Sequence, residues 1–211
     1  MKLSKNDRIV MIGDSVTDCG RARPVGERYG MGSGYPAIFA SLLDIRHTDL
    51  YIRVSNTGIS GNTSRHLVER WQSDVLDLNP DWVTIMIGIN DVWRQLDEPK
   101  NKEIHVLEPE FEANLTKMVE DTLPHVKGMV LLPPVYMDTN KNDTMRAMRD
   151  RYAEIVYKVA NKYNLPVADA QPAFDKYFEY HHPKYMAGDY VHPDLTGHIM
   201  IAEALMSALE D

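Results

Sequence analysis

Only one cysteine, Cys19, occurs in 211 residues, so no internal disulfide can form and nothing in the composition asks for an oxidising compartment. Long apolar runs are missing too. The first, ending at Ile12, is too short for the core of an export signal and far too short to cross a bilayer. These absences predict a cytoplasmic protein with no membrane partner. Basic charge is also scarce. With a formal net charge of -8 the chain has no stripe of the kind a phosphate backbone requires, so nucleic acid is not an expected partner. Arg21, Arg23 and Arg28 form the one basic cluster, which reads either as a solvated loop face or as a wall of a substrate site. There is no repeat, low-complexity tract or Ser/Pro-rich linker, and 44% hydrophobic residues suit one ordinary core, so residues 1–211 read as a single domain.

What is present alternates. Apolar runs at Arg8 to Ile12, Leu50 to Ser55, Trp82 to Ile87, Gly128 to Leu132 and Pro166 to Ala168 read as buried strands, and helix-period segments separate them. Those segments are Tyr35 to Leu43, Thr63 to Leu78, Glu110 to Leu123, a long helix after the N-cap candidate Asp143, and a last one after Asp194. Leu195, Ile199, Ala202, Leu205 and Leu209 make the expected apolar stripe of the final helix. Such alternation predicts an α/β, three-layer, flavodoxin-like fold with a five-stranded parallel sheet in the order 2-1-3-4-5, the arrangement that right-handed crossovers reach most simply.

Chemistry collects at the carboxyl ends of these strands. Gly13-Asp14-Ser15 breaks the first run and sets a hydroxyl where ligands bind in open α/β sheets, although the tripeptide alone also fits an ordinary turn. Asn56-Thr57-Gly58-Ile59-Ser60-Gly61-Asn62 follows the second strand, and its glycines let backbone N–H groups approach a ligand. No Lys-Ser or Lys-Thr pair completes it as a phosphate loop. Gly88-Ile89-Asn90-Asp91 follows the third strand and offers a side-chain amide to a developing oxyanion. In Asp189-Tyr190-Val191-His192 the spacing lets a carboxylate fold back on an imidazole. Together these supply a hydroxyl nucleophile, a base, a carboxylate to orient it and oxyanion donors. Neither a cofactor nor a metal is expected: His181, His182 and His198 stand at no recognisable ligand spacing, and Cys19 reads as an inert thiol rather than a second nucleophile.

These four blocks, in this order, resemble the SGNH hydrolases of the GDSL esterase group. The longer stretches I-G-D-S-V-T-D-C-G-R-A-R-P, G-I-S-G-N-T, P-D-W-V-T-I-M-I-G-I-N-D-V-W-R and V-H-P-D-L-T-G-H are similar to bacterial GDSL acetylxylan esterases. The resemblance implies that Ser15 is the nucleophile, that His192 and Asp189 are its partners, and that the Ser15 and Gly58 N–H groups form the oxyanion hole with the Asn90 amide. It implies an acetyl ester of an oligosaccharide as substrate and, as in some relatives, a homo-oligomer. Asp14, Trp93 and Arg94 are the expected substrate-binding residues; a Trp93 ring suits a sugar face, and core packing accounts for it equally well. One departure stands out: many members carry Gly after the aspartate of the last block, where this chain has Tyr190. Two other readings stay open, a lysophospholipase or acyl-thioesterase on the same fold and a flavodoxin-like binding module.

Overall fold

The computed structural model describes residues 1–210. Five strands, β1 (Arg8–Gly13), β2 (Gly26–Glu27), β3 (Arg53–Asn56), β4 (Trp82–Met86) and β5 (Gly128–Leu132), form one sheet in the order β2-β3-β1-β4-β5. The pairs β3 with β1, β1 with β4 and β4 with β5 are all parallel, so the first four expected strands lie in the expected order. The fifth position differs. Pro166 to Ala168 adds a single bridge, Val167 to Leu131, because so short a segment offers little ladder and Pro166 brings no N–H. The sheet's fifth strand is instead β2, antiparallel to β3 on the opposite edge.

Alternate strand residues feed two cores. Ile9 and Met11 of β1 and Val130 and Leu132 of β5 pack with α2 (Tyr35–Arg46), α8 (Gln171–Tyr177) and α9 (Leu195–Glu210). Val10, Ile12, Met129 and Leu131 face the other way, towards α3 (Ser64–Glu69), α4 (Trp71–Asp74), α5 (Ile89–Asp97), α6 (Glu108–Thr122) and α7 (Thr144–Tyr163). Burial of each large apolar side chain contributes about 1.5–3 kcal/mol, so both faces must be covered and neither layer is dispensable. Asp143 caps α7 as expected, its carboxylate accepting from the Arg146 N–H. Among the described residues no helix is long and apolar enough to cross a membrane.

Three segments depart from their patterns. The expected helix from Thr63 to Leu78 breaks at Arg70 into α3 and α4, although Leu67, Trp71 and Val75 are buried as the spacing requires. Arg70 turns inward at the break to reach the carbonyls of Thr57 and Gly13. Gly88-Ile89-Asn90-Asp91 is no simple turn, since it starts α5. In α9 the buried large apolar residues and Ala202 form the set Ile201, Ala202, Leu205, Met206 and Leu209, beside the buried Gly197 and His198, whereas Leu195 and Ile199 are 61% and 43% exposed. Leu195 and His198, in the first turn of α9, border a pocket.

Candidate active site

The nucleophile candidate sits where β1 ends. Asp14 caps a single-turn helix, α1 (Ser15–Asp18), with its Oδ1 accepting the Val16 N–H at 3.0 Å. That role turns Asp14 inward. It is 2% exposed, so the expectation that it contacts substrate is corrected: its carboxyl fixes the turn that presents Ser15. Burial pushes that carboxyl up to about 7 against the pull of the Val16 N–H, and the nearby Asp91 adds to the rise. Ser15 is the first residue of α1, so its N–H has no acceptor within the helix.

Across from it, one turn carries the base. Ser15 Oγ lies 2.8 Å from His192 Nε2, and His192 Nδ1 lies 2.6 Å from Asp189 Oδ2. The other carboxylate oxygen accepts the N–H groups of Val191 and His192 at 3.0 and 2.9 Å. Burial alone raises the Asp189 carboxyl, but the His192 ring and these two amides outweigh it and hold the group below the usual range. An aspartate so bonded keeps the imidazole in the tautomer whose Nε2 faces the serine. Trp93 stands beside this base, ring centroids 6.1 Å apart, half-buried. Arg94 lies over the Trp93 ring and pairs with Asp97, which leaves it supporting the ring from outside.

The oxyanion side is built into the core. Gly88 adopts φ +128°, a conformation that favours glycine, and so swings the chain from β4 into α5 with Asn90 in its first turn. Asn90 is 3% exposed and donates one amide proton to the Asn62 carbonyl at 3.0 Å. Gly58 packs directly on α1: a Cβ there would lie 2.6 Å from the Asp18 nitrogen. Its N–H already donates to Asn56 Oδ1 at 2.9 Å, so it is a shared donor and not a free one. The supports were less visible in the sequence. Asn56 donates to the Thr17 and Met31 carbonyls, Arg21 Nε to the Gly58 carbonyl at 2.7 Å, and Asp91 accepts from the Ser64 amide and hydroxyl. Arg21 is 4% exposed, which makes it neither a solvated charge nor a pocket wall.

Beside Ser15 and His192 opens a pocket of about 540 Å³, walled by Val16, Cys19, His198 and Leu195 among others. His198 Nδ1 accepts the Tyr35 N–H at 3.2 Å, and Nε2 is 3.3 Å from Cys19 Sγ. Burial pushes the His198 ring down to about 4 and the Cys19 thiol up to about 11, so both stay neutral across the ordinary pH range. A thiol so raised is a poor nucleophile. His181 stacks on Tyr177, and His182 accepts from the Lys184 N–H; neither approaches this site.

The GDSL-like lipase/acylhydrolase family matches residues 11–199, a span holding Ser15, Gly58, Asn90, Asp189 and His192. The chain belongs to this family. This GDSL-like chain is 47% identical over 208 residues to an acetylxylan esterase of Geobacillus stearothermophilus, covering 98% of its own length and 95% of the relative's. A crystal structure of the acetylxylan esterase from that organism shares 45% identity, covers 100% of this chain and 97% of the other, and superposes with a TM-score of 0.97. Further structures of that esterase are described as catalytic mutants with alanine in place of a serine, of a histidine, and of an aspartate three residues before that histidine. An alpha/beta hydrolase enzyme from the metagenome of Lake Arreo, Spain, shares 42% identity over 100% of this chain and 98% of its own, with a TM-score of 0.97. Against this GDSL-like background Tyr190 gains a physical meaning. It holds φ +61°, a left-handed conformation that a glycine adopts freely and a tyrosine does not.

Proposed function

We propose that this chain is a serine esterase that removes acetyl groups from carbohydrate, with short acetylated xylo-oligosaccharides as substrates and an acetyl-serine intermediate. The observation that carries this reading is the unbroken line from Ser15 Oγ through the His192 ring to Asp189, at 2.8 and 2.6 Å. His192 takes the Ser15 proton as Oγ attacks the acetyl carbonyl. The carbonyl oxygen becomes an oxyanion, met by the Ser15 N–H, the second Asn90 amide proton and the shared Gly58 N–H. The bond to the sugar oxygen then breaks, and His192 returns the proton to that oxygen. Water, deprotonated by His192, attacks the acetyl-serine in the same way and frees acetate. Asp189 stabilises the imidazolium in both steps.

The carbohydrate half of the reading draws on the acetylxylan esterase that is 47% identical over nearly the whole chain. A serine–histidine–aspartate set with the same three-residue spacing also matches the alanine changes in that esterase's catalytic mutants. We place its action in the cytoplasm, on fragments already taken up, in keeping with the single cysteine. A longer-acyl activity, of the lysophospholipase or thioesterase kind, is favoured by one feature: the pocket beside Ser15 is far larger than an acetyl group. The deciding experiment is hydrolysis of nitrophenyl esters from acetate to decanoate and of acetylated xylo-oligosaccharides, by the protein and by Ser15→Ala. Activity confined to acetyl esters and lost in Ser15→Ala is expected. A peak at long chains would move the assignment to a lipid substrate, and turnover that survives Ser15→Ala would end the serine-esterase reading.

A further inference from the structure

The reaction scheme above leaves the pocket beside the nucleophile unused, and its walls say what it takes. It continues from His192 through Pro193 and Asp194 to Leu195, and returns to Ser15 by way of Cys19. Neither Gly58 nor Asn90 lines it. The carbonyl oxygen of a bound ester must point to those donors, which directs it away from the pocket. The leaving oxygen must instead end beside His192 Nε2, the only group placed to protonate it. A leaving group attached there runs along the residues that follow His192.

Size and charge point the same way. A volume of about 540 Å³ falls among pockets that enclose small organic ligands, and an acetyl group would leave it nearly empty. Val16, Pro193 and Leu195 give it apolar surface for the C–H face of a ring, while Ser33, Asp194 and the His198–Cys19 pair give it polar edges. Among the described residues no lysine or arginine lines it, and its one charged side chain, Asp194, is acidic. An anionic headgroup would meet a like charge with no cation to offset it. A polyol meets acceptors for its hydroxyls.

We propose that this pocket seats the leaving alcohol, an uncharged sugar ring, and that the acetyl group lies outside it. The inference rests on the serine-esterase reading and assigns the larger part of the substrate within that site. Its test fills the pocket from the exposed first residue of α9 with Leu195→Trp and, independently, from the opposite exposed wall with Ser33→Tyr. For each variant, kcat/KM is measured on acetylated xylobiose, methyl acetate, nitrophenyl acetate and nitrophenyl hexanoate, together with inhibition of methyl acetate hydrolysis by xylobiose. The expected result is a loss on acetylated xylobiose at least tenfold greater than on methyl acetate, an unchanged hexanoate-to-acetate ratio, and a weaker hold on xylobiose. A selective loss on hexanoate with the sugar ester spared would make this an acyl pocket and overturn the inference. Equal losses on every ester would also overturn it, by showing that filling the pocket merely disturbs Ser15 or His192. Failure of the underlying reading shows itself separately, as absence of Ser15-dependent turnover in the unaltered protein.

Discussion

Asp189 and His192 leave 43% and 46% of their side chains in solvent, whereas Asn90 is 3% exposed and Asp91 is fully buried. The two halves of the site are therefore held by different means. The proton-moving half is one turn whose hydrogen bonds are mostly its own: Asp189 bonds Val191 and His192, and the turn meets the sheet side through the Met137 N–H on the Tyr190 carbonyl at 2.8 Å. The oxyanion half is laced into the core through Asn56, Asn62, Arg70 and Asp91. Groups that exchange protons with substrate need access to it. Donors that stabilise charge work best when fixed and shielded from water. It follows that the first half is separable from folding and the second is not.

Asp189→Asn puts this contrast under its severest strain. The amide oxygen can still accept from Val191 and His192, but the ring loses its anionic partner, so kcat should fall by about 10⁴-fold. Because the residue is well exposed, the free energy of unfolding should move by no more than about 0.5 kcal/mol. Steady-state kinetics and urea titration of the same sample check both numbers, and a large loss of stability would erase the distinction. Asn90→Ala tests the other half. Loss of its donor should lower kcat by about 10²–10³-fold. Here stability should fall as well, by about 1–3 kcal/mol, because the Asn62 carbonyl loses its partner.

Asn56→Ala should touch folding first. It strips partners from the Gly58 N–H and from the Thr17 and Met31 carbonyls, all within a buried cluster, and should cost about 3 kcal/mol or more in chemical denaturation. Activity should fall with it, since Gly58 would no longer be pinned against α1. A variant of unchanged stability would mean that the loop after β3 is held by Arg21 and Arg70 alone.

The exposed half was the more legible in sequence. A carboxylate three residues before an imidazole explains itself locally, as does Ser15 at the end of an apolar run. The parallel strands were legible for the same reason, through short apolar runs closed by glycine or proline. What the sequence did not disclose depends on long-range partners. Arg70 sits at the break in a regular helical stripe, its guanidinium bonding the carbonyls of Thr57 and of Gly13 at the end of β1. Helix α5 was hidden because Gly88-Ile89-Asn90-Asp91 has turn composition, whereas its anchors, among them the Asp91 carboxylate accepting from Ser64, come from distant segments. Asp14 looked like a ligand contact until its burial as a cap was seen. Asn56, two residues before Gly58, did carry a local signal, the side-chain turn that asparagine makes with the amide two residues on.

The pH dependence of stability should separate the halves again, more gently. Asp14 keeps its proton up to about 7 in the folded protein against 3.8 for an ordinary aspartate. Between those values the folded state binds the extra proton, so this group's stabilisation is complete below the lower value and is lost as pH rises through the upper one. Asp14→Asn removes that slope while leaving an oxygen to accept from Val16. Unfolding free energies at pH 5 and pH 8 should therefore show the variant gaining on the unaltered protein at the higher pH. Asp189 has the opposite sign: its lowered carboxyl contributes stability above 3.8 that is lost on further acidification. A gain for Asp14→Asn on the acid side would show that Asp14 is ionised in the folded state.

The smallest effect expected lies at Tyr190, where the exposed turn keeps a side chain in a conformation glycine would fill without strain. A left-handed tyrosine costs about 1–2 kcal/mol. Its ring recovers part of this against Tyr136, whose centroid is 6.2 Å away in a tilted arrangement, by about 0.5–1.5 kcal/mol. Tyr190→Gly relieves the first and forfeits the second, so its stability should stay within about 1 kcal/mol of the starting protein, glycine's larger unfolded-state entropy included. Tyr190→Ala forfeits the ring and keeps the strain. The two variants should therefore fall in the order glycine above alanine, the reverse of their ranking at an ordinary position, and thermal melts of the pair read that order directly. If alanine is the more stable, the backbone at Tyr190 is not left-handed in solution, and the turn that aligns Asp189 with His192 must be held in some other geometry.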